Sequence, residues 1–142
     1  MTRVSLADTL TLCTITGMRS MSGPAALALA RGGISRPLLG VLAAGEMIVD
    51  KTSFVGDRTD AVPLAGRAVM GALVGGLLAR ERGGSALLGG AIGAATAIAA
   101  THLAYQMRKR LPFSSAVNGL IEDGIVAAVA GSYGARARTA AA

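Results

Sequence analysis

Apolar residues fall in five blocks along the chain, separated by short polar gaps, and inside the blocks no polar stripe recurs at helical spacing. The blocks run from Leu10 to Ala30, Pro37 to Gly56, Ala61 to Ala79, Ala86 to Met107 and Ala116 to Ala135. A helix on the surface of a soluble bundle keeps one polar side with a period of about 3.6 residues. Ala86 to Thr101 has no such side. A hydrocarbon core of ~30 Å takes roughly 20 apolar residues per helix, and the blocks are close to that length. The pattern predicts an all-α, polytopic helical membrane protein, one transmembrane domain over residues 1–142, built as a compact Gly/Ala-rich bundle of four or five hydrophobic helices. The gaps R-G-G-I-S-R, D-R-T-D, R-E-R-G-G-S and R-K-R-L-P-F-S-S are short enough to join antiparallel neighbours.

The first block is interrupted by T-G-M-R-S-M-S-G-P, Thr16 to Pro24, where Arg19 stands among apolar residues and Gly-Pro offers a break. Two topologies fit. As one helix, the block is long enough to span, with Pro24 kinking it. Basic residues then divide almost evenly, with Arg3, Arg58, Arg108, Lys109 and Arg110 on one side and Arg31, Arg36, Arg80, Arg82, Arg136 and Arg138 on the other. If the block is broken or re-entrant near Arg19, then Arg3, Arg31 and Arg36 join Arg80, Arg82, Arg136 and Arg138, seven against four, which puts both termini in the cytoplasm. Phe54, Tyr105, Phe113 and Tyr133 all lie near block ends, where interfacial rings are expected.

Composition strengthens the membrane reading. The chain is 52% hydrophobic and only 15% charged, with 20 glycines among 142 residues, whereas soluble domains carry about 25% charged residues. The net charge of +6 does not suggest nucleic acid, because the basic residues flank apolar blocks and stacking aromatics are scarce. Cys13 is the sole cysteine, so an intrachain disulfide is excluded and the thiol reads as packing. No removable signal peptide is expected from the first dozen residues. The localisation implied is the inner membrane, multi-pass.

Small residues four apart let helix backbones approach closely in lipid. Gly71 and Gly75 have this spacing in the third block, Gly89 and Gly93 in the fourth, and Gly17 precedes Arg19 in the first. These are the expected packing positions, within one chain or between copies in a homo-oligomer or larger membrane complex.

Charges at a helix centre cost about +2.5 to +3.5 kcal/mol on insertion scales, so they face a protein interior or water and find partners. The candidates for an intramembrane polar site are Arg19, Lys51 and Arg67 against Glu46, Asp50, Glu122 and Asp123, joined by Asn118 and His102. Glu46 and Asp50 share one helix face, as do Asn118 and Glu122. Arginine can hydrogen-bond two carboxylates while remaining charged. Arg19 is expected to meet Glu46 or Glu122, and Arg67 to meet Asp50; Lys51, Arg67 and Asp123 could instead snorkel to an interface. His102, six residues before R-K-R, could relay protons, or bind a lipid phosphate together with Arg108, or simply pack. No P-loop, G-x-S-x-G or H-E-x-x-H occurs, and neither cofactor nor metal is expected.

In order, G-M-R-S, G-E-M-I-V-D-K, P-L-A-G-R-A-V-M-G-A-L, A-T-H-L-A and N-G-L-I-E-D cover most of the chain. That series resembles the small bacterial integral-membrane family designated domain of unknown function 4126. Its anchors here are Gly17, Arg19, Glu46, Asp50, Lys51, Gly71, His102, Asn118, Glu122 and Asp123. The resemblance implies a membrane protein and supplies no activity. Three functions follow from the residues: conduction, transport or sensing of a small ion, proton or polar solute; a structural or assembly subunit of a membrane complex; and, third, a membrane-embedded enzyme acting on lipid.

Overall fold

A computed structural model of the chain describes residues 5–31 and 60–139. Among them the protein is all-helical, with α1 (Leu6–Met18), α2 (Ser22–Arg31), α3 (Ala61–Glu81), α4 (Ala86–Arg110) and α5 (Ser115–Thr139). The second apolar block, with Glu46, Asp50, Lys51 and Phe54, lies outside the described residues.

The first block is two helices. Ser5 starts α1 with a capping box: its hydroxyl accepts from the Asp8 amide at 3.0 Å, and its own amide donates to the Asp8 carboxylate at 2.9 Å. The helix stops at Met18 because Arg19 adopts extended backbone, φ −142° and ψ 116°. Pro24 makes no kink. It falls in the first turn of α2, where a missing N–H leaves no hydrogen bond unmade.

From this break α2 runs back along α1. Gly23 lies so close to α1 that a Cβ there would sit 1.9 Å from the Thr16 hydroxyl and 2.9 Å from the Leu12 carbonyl, so the approach needs a residue without a side chain. The free end of the hairpin is tied to the ends of other helices. Arg82 donates to the Ser5 carbonyl at 2.9 Å and the Thr9 hydroxyl at 2.7 Å, Arg31 pairs with Glu81, and Arg136 lies 3.9 Å from Asp8. One end of the bundle therefore collects the start of α1 and the ends of α2, α3 and α5. The hairpin tip points inward.

Helices α3 and α4 are joined by Gly83, in the left-handed region at φ +74°, and by Ser85, whose hydroxyl accepts from the Leu88 amide and caps α4. They pack backbone on backbone. A Cβ on Gly71 would meet the Gly93 carbonyl at 2.6 Å, one on Gly93 the Gly71 carbonyl at 2.1 Å, and one on Gly75 the Gly89 carbonyl at 2.3 Å. Both four-residue glycine pairs thus face each other within the chain. Gly17 does the same for α1, its Cβ position lying 2.2 Å from the Ala97 carbonyl of α4.

Leu12, Cys13, Ile15, Leu27, Val74, Leu78 and Val126 form the core. Tyr133 joins them, buried, near Asp8, Glu81, Arg31 and Arg136 at one end of the bundle. Large apolar side chains also cover the outside: Val62 is 83% and Leu87 87% exposed, with Leu73, Leu103, Leu120 and Ile125 exposed as well. Among the described residues two helices, α3 and α4, are long and apolar enough to cross a membrane.

Candidate functional site

At the hairpin tip hydroxyls add hydrogen bonds to backbone carbonyls, those of Ile15 and Arg19 already accepting the Arg19 and Ser22 amides at 2.8 and 3.0 Å. Ser22 lies 2.6 Å from the Ile15 carbonyl and 2.7 Å from that of Arg19, sharing its one proton between them. Thr101 of α4 reaches the Gly17 carbonyl at 2.8 Å. The end of α1 is thereby fixed beside the middle of α4.

Fixing the tip places the Arg19 side chain, which is 1% exposed and among the largest fully buried side chains. Its guanidinium donates to Asp123 Oδ1 of α5 from Nε at 2.9 Å and from Nη2 at 2.5 Å. Asp123 is eight residues into α5, roughly 12 Å from that helix's start at 1.5 Å per residue. The pair thus sits inside the bundle rather than at either end. A carboxylate and a guanidinium so placed compensate each other, because either one alone would face the full cost of leaving water.

A second pair lies nearer the other end. Arg108 donates to Glu122 Oε2 from Nε at 2.7 Å and from Nη2, and Glu122 is buried. The expected contact of Arg19 with Glu122 is thus replaced: Arg19 takes the carboxylate one position further along α5, and Glu122 turns to α4. Side chains on a helix lean toward its N-terminus. Arg108 therefore leans from the end of α4 into the bundle while Glu122 leans toward the start of α5, and the two converge. Sequence reasoning counted Arg108 as a loop charge; the usable signal was this opposed lean across a short turn.

Asn118, one turn before Glu122, donates from Nδ2 to the carbonyls of Phe113 at 3.3 Å and Arg108 at 3.5 Å. Its Oδ1 is buried and accepts no hydrogen bond among the described residues. Arg67 is buried on α3, and its expected partner Asp50 lies outside the described residues, as does Glu46 for Arg19. His102 is exposed on α4, while its neighbour Thr101 faces inward to the hairpin. Lys109 lies 4.3 Å from the centre of the Tyr105 ring.

Although consecutive, α4 and α5 stand apart beyond their turn, because α1 packs on α4 and α2 on α5. The gap is a cleft of about 60 Å³ with Met107, Leu111, Ile121 and Ile125 among its walls and Met18 of the hairpin also lining it. Arg108, Asn118 and Glu122 are its polar part. Among the described residues no three of His, Cys, Asp and Glu come together to hold a metal ion.

Comparison with protein-family models, with curated proteins and with solved structures finds no match for this chain.

Proposed function

We propose that the chain is a multi-pass inner-membrane protein that conducts, transports or senses a small ion, proton or polar solute through the polar interior around Arg19 and Asp123. The observation that carries the reading is the inverted distribution of side chains: Val62 and Leu87 face outward while Arg19, Arg67, Asn118 and Glu122 are buried. In water this arrangement would expose apolar area at about 25 cal/mol per Å² and bury charge at several kcal/mol per ion. In lipid the cost of the outward apolar surface disappears, whereas that of the buried charges remains, and charges kept inside a bundle despite it mark solute paths.

The broken hairpin supports the same reading. Helix α1 has 13 residues, about 20 Å at 1.5 Å per residue, too short to cross a ~30 Å core, and α2 runs back along it over its described length. They enter from one face and return, and irregular backbone at membrane depth is tolerated where protein buries it or a cavity lies beside it. Asp123 would bind a cation or exchange protons, with Arg19 as its fixed partner. The resemblance to domain of unknown function 4126 belongs to this proposal as far as membrane class.

Protein reconstituted in liposomes is expected to show flux of a cation, anion or protons that Asp123→Asn abolishes. Equal, background-level flux for both proteins across a broad panel sinks transport. A structural or assembly role is the second reading, favoured by how completely Arg19 is enclosed, since such a pair can serve only to fix helix register.

A further inference from the structure

The charged side chains lining the cleft between α4 and α5 answer each other. Arg108 gives Nε and Nη2 to Glu122 Oε2, so the walls carry no net charge and favour a neutral occupant. The rest of the lining, Met18, Ala104, Met107, Leu111, Ile121 and Ile125, is apolar, with one exception.

That exception is Asn118, 5% exposed, whose buried Oδ1 has no donor among the described residues. Its Nδ2 donates to the carbonyls of Phe113 and Arg108, so the amide cannot turn over to exchange acceptor for donor without losing both bonds. An unmade bond at a buried acceptor is costly. The missing partner is an O–H or N–H.

Size and wall chemistry decide what brings that donor. The cleft holds about 60 Å³, and on the same measure one water takes about 10–15 Å³, which leaves room for about four to six water-sized groups. A buried water is held by roughly two to four polar partners. With Arg108 and Glu122 bonded to each other, Asn118 offers a single acceptor, and the apolar walls gain nothing from hydration. A short aliphatic chain ending in a hydroxyl meets both demands, since the hydroxyl completes Asn118 while the chain covers the walls.

We propose that the cleft binds a small neutral alcohol, its hydroxyl donating to Asn118 Oδ1 and its alkyl part lying against Met107, Ile121 and Ile125. The site is separate from the Arg19–Asp123 pair, and the inference stands independently of the membrane reading.

Met18 and Met107 line the cleft and Met70 of α3 does not, so NMR of methyl-labelled methionines in the whole chain, in mild detergent, reads the site directly. The probes are 1-butanol and 2-butanone, equal in non-hydrogen atoms, of which the ketone lacks the donor. 1-Butanol is expected to shift Met18 and Met107 saturably and to leave Met70 unmoved, with a midpoint at least about fivefold lower than that of 2-butanone, the worth of one hydrogen bond. Asn118→Leu should erase that difference, and Ala104→Phe, which fills the cleft, should abolish the saturable shift while Met70 keeps its position. Equal midpoints for the two probes in the unaltered protein overturn the assignment, whatever the variants do. Shifts that rise without saturation at all methionines alike report partition into detergent and overturn the site. Unmoved Met18 and Met107 leave the cleft to water and overturn it as well. An undiminished saturable shift in a folded Ala104→Phe protein puts the binding elsewhere and defeats the proposal.

Discussion

At Arg19 a backbone event and a side-chain event coincide. Extended backbone there ends α1, and the turn that follows is what delivers the guanidinium to Asp123. Removing one partner leaves the other buried and unpaired, so Arg19→Leu is expected to cost about 3–5 kcal/mol. The Arg19→Leu, Asp123→Leu double variant should recover most of it, read as thermal unfolding in detergent by circular dichroism. If the double variant is no more stable than the single one, the two residues do not depend on each other. Residue types were legible here: a charged side chain in an apolar block had to be enclosed. Partner identity was not, because Glu122 and Asp123 differ by one helical step of about 100°, and the rotation of α5 is set by contacts with α2 that no local pattern encodes.

Between elements, glycine spacing was the most readable signal, since four-residue repeats lie on one face whatever the neighbour is. The spacing could not say which helix would be met, nor that Gly71 and Gly75 would face Gly93 and Gly89. Gly93→Leu drives a side chain into the Gly71 carbonyl and should destabilise the protein by about 1–3 kcal/mol or prevent α3 and α4 from docking. Gly124 has nothing within 4 Å of its Cβ position, and Gly124→Ala should be neutral or stabilise by up to ~1 kcal/mol. Thermal unfolding compared across the two variants checks the face assignment; equal losses would contradict it. The break in the first block was legible as a place, Thr16 to Pro24, but not as a residue. Pro24 carries the strongest local signal, yet the chain turns earlier, at Arg19, where Ser22 and Thr101 add hydrogen bonds to the carbonyls of Ile15, Arg19 and Gly17.

For the molecule as a whole, the hairpin makes the start of α1 and the end of α5 neighbours, as the approach of Asp8 and Arg136 records. Reporters fused ahead of Ser5 and after Thr139 are expected on the same side of the membrane; opposite sides would exclude a returning hairpin. The joint between α3 and α4 has a mechanical consequence. Where carbonyls of one helix rest on glycines of the other, no side chain is present to rotate or slide, and the two helices form a single stiff plank. The end of α1 joins it in the same way at Gly17, against the Ala97 carbonyl, whereas α5 is held through side chains, which have alternative rotamers. Relative motion within the bundle is therefore expected at α5, against a stationary surface made of α3, α4 and the end of α1.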